Sequence, residues 1–209
     1  LTQLGLDLSL DLARRQLLGI LERDAALNGD AAFIRVDMEG SDYTAATLDL
    51  VTALHAAGAR VGTVVQAYLH RSAADIEGLL ERGIRLRLVK GAYREPAALA
   101  IQEKAAVDAN YIALMRRLLD SGHYHAIATH DERIIAATVA YARQRGIAPD
   151  RFEFQMLYGI RRDLQQKLTR EGWRMRVYIP FGPEWYPYFM RRLAERPANL
   201  LFLLRNLVK

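Results

Sequence analysis

Arg85-Leu86-Arg87-Leu88-Val89-Lys90-Gly91-Ala92-Tyr93 alternates charged and aliphatic side chains and then breaks on a glycine. Successive side chains of a strand point to opposite faces, so Leu86 and Leu88 share one face while Arg85 and Arg87 share the other. The aliphatic face suits a layer of covering helices. An enclosed arginine face needs a counter-charge or an anionic ligand; the plainer alternative is that both arginines meet solvent. Gly91, directly after Lys90, would let backbone N–H groups come close to a phosphate.

Outward from this strand, residues 33–38, 61–68, 84–89, 126–130, 152–157 and 175–180 have the β-branched and aliphatic content of strands. Helical stripes lie between them: Leu12, Leu17, Leu18 and Leu21; Ala74, Ile76, Leu79 and Leu80; Ile112, Met115, Leu118 and Leu119; Ile134, Ile135 and Val139. Ser72 with Asp75 predicts a helix start, and Glu95-Pro96 a helix entry with proline in the first turn. Gly83, Gly122 and Gly146 read as helix stops. Alternating strands and helices joined by short connections predict a parallel α/β sheet.

An open doubly wound sheet and a closed (β/α)8 barrel both fit that alternation. The chain has no G-x-G-x-x-G turn of the kind an open nucleotide-binding sheet uses. Polar residues instead end strand after strand: Asp37, Gln66, Lys90, Thr129-His130, Gln155 and Tyr178. Barrels build their sites from the carboxyl ends of many strands, which favours the barrel. Six strands do not close an eightfold barrel, so two are expected ahead of Leu1.

With 209 residues, 51% hydrophobic and 25% charged, the chain can bury one sizeable core. Cysteine is absent, which excludes disulfides and thiolate chemistry. The net charge of +5 comes from 29 basic and 24 acidic residues that are interspersed, so no nucleic-acid partner is expected; an anionic ligand or membrane surface accounts for it equally. No apolar run reaches the roughly 20 residues of a spanning helix.

Individual residues carry two readings each. Asp37, in Val36-Asp37-Met38-Glu39, is either a solvated strand end or a group that orients a cation or amine. Gln66, inside an apolar strand, must find polar partners if buried, either a ligand edge or a neighbouring strand. Asp37, Glu39, His130 and Asp131 together could form an oxygen and nitrogen metal shell. No His-Glu-x-x-His supports that, however, and no metal is expected. His123 and His125 read as solvated residues of a polar turn. Arg191-Arg192 is either surface charge or a fork for a small carboxylate.

VDMEG (36–40), VVQAYL (64–69), RLVKGAY (87–93), IATHD (127–131), FEFQMLYG (152–159), RVYIPFG (176–182) and YFMRRLAE (188–195) resemble, in order, the flavin-dependent proline dehydrogenase family of the bacterial monofunctional type. The resemblance implies a distorted (β/α)8 TIM-type barrel. Residues 1–209 would form one catalytic domain, N-terminally incomplete, with a terminal helix carrying Arg191 and Arg192 over the barrel mouth. It implies FAD as cofactor and oxidation of L-proline to 1-pyrroline-5-carboxylate by hydride transfer to flavin N5, in proline catabolism.

Asp37 and Arg87 match catalytic positions of the family. Met38, Gln66, Arg87, Lys90, Gly91, Ala92, Thr129 and His130 match flavin contacts, joined by Gln155 and Glu195. Arg191 and Arg192 match the carboxylate-binding pair, Tyr178 an aromatic that packs on the proline ring, and Tyr93 and Leu157 pocket walls. A substrate-binding lysine of the family falls just ahead of Leu1. The resemblance further implies a quinone acceptor and a cytoplasmic location. It leaves room for peripheral contact at the inner face of the membrane and for a downstream pyrroline-5-carboxylate dehydrogenase. The competing expectations are a metal-dependent barrel aldolase or hydrolase using Asp37, Glu39 and His130, and an inactive carboxylate-binding fragment.

Overall fold

The computed structural model describes residues 1–182 and 185. Six strands, β1 (Ile34–Val36), β2 (Val61–Gln66), β3 (Leu86–Val89), β4 (His125–Ala128), β5 (Phe152–Leu157) and β6 (Met175–Tyr178), lie in sequential order and pair in parallel throughout. A doubly wound sheet reverses its strand order at a switch point; this one does not, and sequential parallel order is barrel connectivity. The helices are α1 (Leu10–Asn28), α2 (Ser41–Ala56), α3 (Ser72–Leu80), α4 (Lys104–Asp120), α5 (Glu132–Gln144) and α6 (Arg162–Arg170).

The register sorts side chains into two faces. Arg87 pairs with Val64 and Ala126, Ala126 with Glu153, Gln155 with Arg176, and Leu157 with Tyr178. Paired residues of a parallel sheet share a face, so the polar residues of five strands line one side. The opposite side carries Val61, Val65, Leu86, Leu88, Ile127, Phe152, Phe154 and Met156, all within the main core cluster with Leu54, Ile76, Met115, Leu118, Ile134 and Leu164 of the helices. Each large apolar side chain fully buried there stabilises the fold by about 1.5–3 kcal/mol. Tyr111 of α4, fully buried, reaches under the sheet and donates toward Leu88 O at 3.0 Å and Ala128 O at 3.2 Å, fastening β3 to β4.

α5 shows how the local sequence sets an element. Asp131 caps it by accepting from Arg133 N at 3.0 Å; Ile134, Ile135, Thr138, Val139 and Ala142 form its buried stripe; Gly146, at φ 65°, follows its end. α3 starts at Ser72 as predicted, although its buried hydroxyl donates to Gln66 O and does not cap the helix. The other predicted start is corrected. Residues 95–96 do not open a helix; α4 begins at Lys104. Tertiary contacts compete for this segment: Ala100 bridges Leu69, Ile101 N donates to Tyr68 O at 2.8 Å, and the Glu95 carboxylate accepts from Ser41 N at 2.7 Å, capping α2 instead.

Candidate active site

Arg87 organises the carboxyl ends of the strands. Its guanidinium donates to the Asp37 carboxylate, just beyond β1, and through Nε to Gln155 Oε1 of β5 at 2.6 Å. Its Cζ lies 5.7 Å from the centre of the Tyr178 ring on β6. Three strand spacings separate β3 from β6, about 14 Å in a flat sheet. One arginine can touch all of these partners only because the sheet curls and the polar face is concave.

Below this layer, Arg85 lies 4.3 Å from the Phe33 ring and 4.7 Å from that of Tyr124. Its charge is accommodated by aromatic faces rather than by a carboxylate. Arg35 is pulled down to about 9 by burial, and further by Arg87, and remains protonated at neutral pH. Glu153, 4% exposed, accepts from Arg176 Nε at 2.8 Å, from Tyr124 Oη at 2.9 Å and from the Gln155 amide. The arginine face predicted at β3 is therefore enclosed, and the solvent reading of Arg85 and Arg87 is set aside.

The remaining predicted positions divide by where their side chains point. Gln66, 3% exposed, donates Nε2 to Glu39 O at 2.9 Å. His130 Nε2 accepts from Leu157 N at 2.9 Å, so a neutral ring carries its proton on Nδ1. Met38 packs into the core cluster and the Lys90 ammonium bonds Asp108 and Asp131, so both side chains lie behind the sheet. Thr129 Oγ1 accepts from Asp131 N at 3.0 Å. Gly91 sits at φ 116°, where a Cβ would be 2.2 Å from the Tyr68 ring, so glycine is required by packing as well as by conformation. Ala92 and Tyr93 are exposed on the same loop. Arg191, Arg192, Glu195 and the terminal helix fall outside the described residues.

Asp37, Glu39 and His130 do not converge; among the described residues no three His, Cys, Asp or Glu side chains are grouped to hold an ion. His125 is not solvated: it is fully buried, its Nδ1 accepts from Leu86 N at 3.0 Å, and its Nε2 lies 3.0 Å from Ser121 Oγ. The polar neighbours His123 and Tyr124 disguise it in the sequence. Glu153 is a further site residue, and its place two residues before Gln155 puts both on one strand face.

The family model described as Proline dehydrogenase matches residues 3–205. The chain belongs to the proline dehydrogenase family. Proline dehydrogenase 2 of Bacillus subtilis strain 168 is 45% identical over 209 residues, which are 100% of this chain and 68% of that protein. Proline dehydrogenase of Deinococcus radiodurans is 45% identical over 207 residues, 98% of this chain and 64% of that protein. Among solved structures, proline utilization A (PutA) of Bdellovibrio bacteriovorus, inactivated by N-propargylglycine, superposes with a TM-score of 0.79 at 30% identity. That match covers 90% of this chain and 22% of the PutA chain. The proline dehydrogenase family thus accounts for both the order of the motifs and the concave polar face.

No helix among the described residues is long and apolar enough to cross a membrane.

Proposed function

We propose that the protein oxidises L-proline to 1-pyrroline-5-carboxylate with FAD as cofactor and a quinone as acceptor, in proline catabolism. Family membership supports the reaction. The observation that carries the residue roles is the convergence of Asp37, Arg87, Gln155 and Tyr178 from four strands onto one mouth. The donor chemistry of that mouth suits a flavin: Arg87 is a fixed cation, Gln66 an amide, and Gly91 and Ala92 a loop backbone directly after β3. Met38 and Lys90 would contribute through their backbones, since their side chains are engaged elsewhere. Thr129, His130 and Glu195 would complete the contacts.

When bound, the flavin accepts the hydride at N5. Arg191 and Arg192 would hold the substrate carboxylate and so aim the carbon beside the ring nitrogen. Tyr178, with Tyr93 and Leu157, would wall the pocket against the ring. Arg87 would favour negative charge that develops on hydride transfer, and Asp37 would hold that guanidinium. Peripheral contact at the inner membrane face and a downstream pyrroline-5-carboxylate dehydrogenase belong to the same reading.

Purified protein should be yellow and should bleach with anaerobic proline; a colourless protein that binds FAD without bleaching would end the proposal. Tyr178→Ser should narrow the preference for proline over hydroxyproline by about tenfold, the value of one lost apolar contact. Equal selectivity before and after would remove Tyr178 from the pocket.

A further inference from the structure

We propose that Glu153 is a positioning residue for Arg87, acting through the amide of Gln155. Glu153 and Gln155 stand two residues apart on β5, share its concave face, and are each 4% exposed. A guanidinium only donates and an ionised carboxylate only accepts, so the amide between them has one workable orientation. Its oxygen accepts from Arg87 Nε at 2.6 Å, and its NH2 donates to Glu153 Oε1. Glu153 is anchored in turn from two other directions, by Arg176 Nε at 2.8 Å and Tyr124 Oη at 2.9 Å. Burial alone would raise its carboxyl; the bonds from Arg176, Gln155 and Tyr124 hold it below its ordinary value.

The consequence reaches the mouth. The Asp37 side chain is 50% exposed, and a half-solvated carboxylate is by itself a loose anchor for a guanidinium. The second contact, at Nε, fixes the plane of the group. Without the Glu153 carboxylate the NH2 end of the Gln155 amide loses its anchor, Arg87 alone selects the oxygen, and each swing or flip of the freed amide breaks the contact at Nε. Glu153 therefore governs a group that it does not touch.

The proposal rests on Arg87 facing the reacting centre, so geometry and rate are measured separately on the flavin-loaded protein. Hydrogen exchange of Arg87 Nε–H, followed by NMR, reads the geometry; single-turnover flavin reduction by proline reads the rate and, separately, proline affinity. Glu153→Leu and Gln155→Met should each speed the exchange and slow the limiting rate by about tenfold, with proline affinity within about twofold. Glu153→Gln, whose amide oxygen can still accept from Gln155, should restore slow exchange. Combining Glu153→Leu with Gln155→Met should be no slower than Gln155→Met alone, because both act along one route.

Unchanged exchange in Glu153→Leu, or rate losses that add in the double variant, would overturn the proposal. Faster exchange in Glu153→Leu beside a wild-type rate in Arg87→Met would uphold it and remove the catalytic role of Arg87. Should Glu153→Leu not fold, Glu153→Asp keeps the charge, falls one methylene short of Gln155, and reads the same exchange.

Discussion

Arg85 and Arg87 stand two residues apart on one face of β3, yet their charges are met by different means. Arg85 is sandwiched by Phe33 and Tyr124, whereas Arg87 bonds the Asp37 carboxylate at the mouth. Only the second arrangement places the cation at the mouth, where the proposed reaction would develop charge. Arg87→Met should therefore lower the flavin reduction potential and slow reduction by proline on the order of 10²-fold; an unchanged potential in folded, flavin-loaded protein would count against it. His125 makes the opposite kind of contribution, to stability alone. Burial, with His123 and the nearby arginines, pulls it down to about 3. The unfolded chain, near the ordinary value of ~6.5, binds the proton first as pH falls. The stabilisation is complete above that value and is lost towards pH 3, about 2 kcal/mol of it by pH 5. Denaturant melts from pH 7 to pH 4 should show this slope. His125→Asn, which keeps an acceptor for Leu86 N but cannot titrate, should flatten it.

The connection from β3 to α4 is the element in which local sequence and tertiary contact disagree most. Pro96 suits a helix start and does open a single turn, but bridging to Leu69 and capping of α2 by Glu95 keep residues 94–103 a loop until Lys104. The same loop begins at Gly91, whose backbone passes directly against the Tyr68 ring. Gly91→Ala should cost about 1–3 kcal/mol from conformation alone, with further loss from displacement of Tyr68. Adding Tyr68→Ala should recover the steric part and leave the conformational part. Full recovery in the double variant, measured by chemical denaturation, would show that φ at Gly91 carries no strain.

Along the axis of the curled sheet the polar residues divide into a floor and a mouth. Tyr124, Arg85 and Arg176 form the floor; Asp37, Arg87, Gln66 and Tyr178 form the mouth, and Glu153 with Gln155 joins the two. Residues at the amino-terminal end of barrel strands serve stability, and those at the carboxyl end serve function. Tyr124→Phe removes a hydrogen bond to a buried carboxylate and should cost about 1.5–3 kcal/mol of stability, while proline affinity stays unchanged. Tyr178→Ser should show the reverse pattern. A Tyr124→Phe variant with weakened proline binding and unaltered stability would contradict the division.

The strand-helix alternation, the parallel sheet and the polar strand ends were legible in the residues, because period-2 patterning and apolar helical stripes depend on near neighbours in the chain. Arg87 could be marked for the same reason: a cation on the closed face of a strand demands a partner. Its actual partners lie 50 and 68 positions away, and sequence spacing does not say which carboxylate or amide will meet it. The burial of His125 is not visible in the sequence, because it is a property of the packed strands and not of its polar neighbours. The engagement of Lys90 with Asp108 and Asp131 depends on how α4 and the end of β4 pack behind the sheet, and the link from Glu153 through Gln155 to Arg87 depends on its curvature. Only when the sheet bends do side chains from β1, β3, β5 and β6 share one enclosed space.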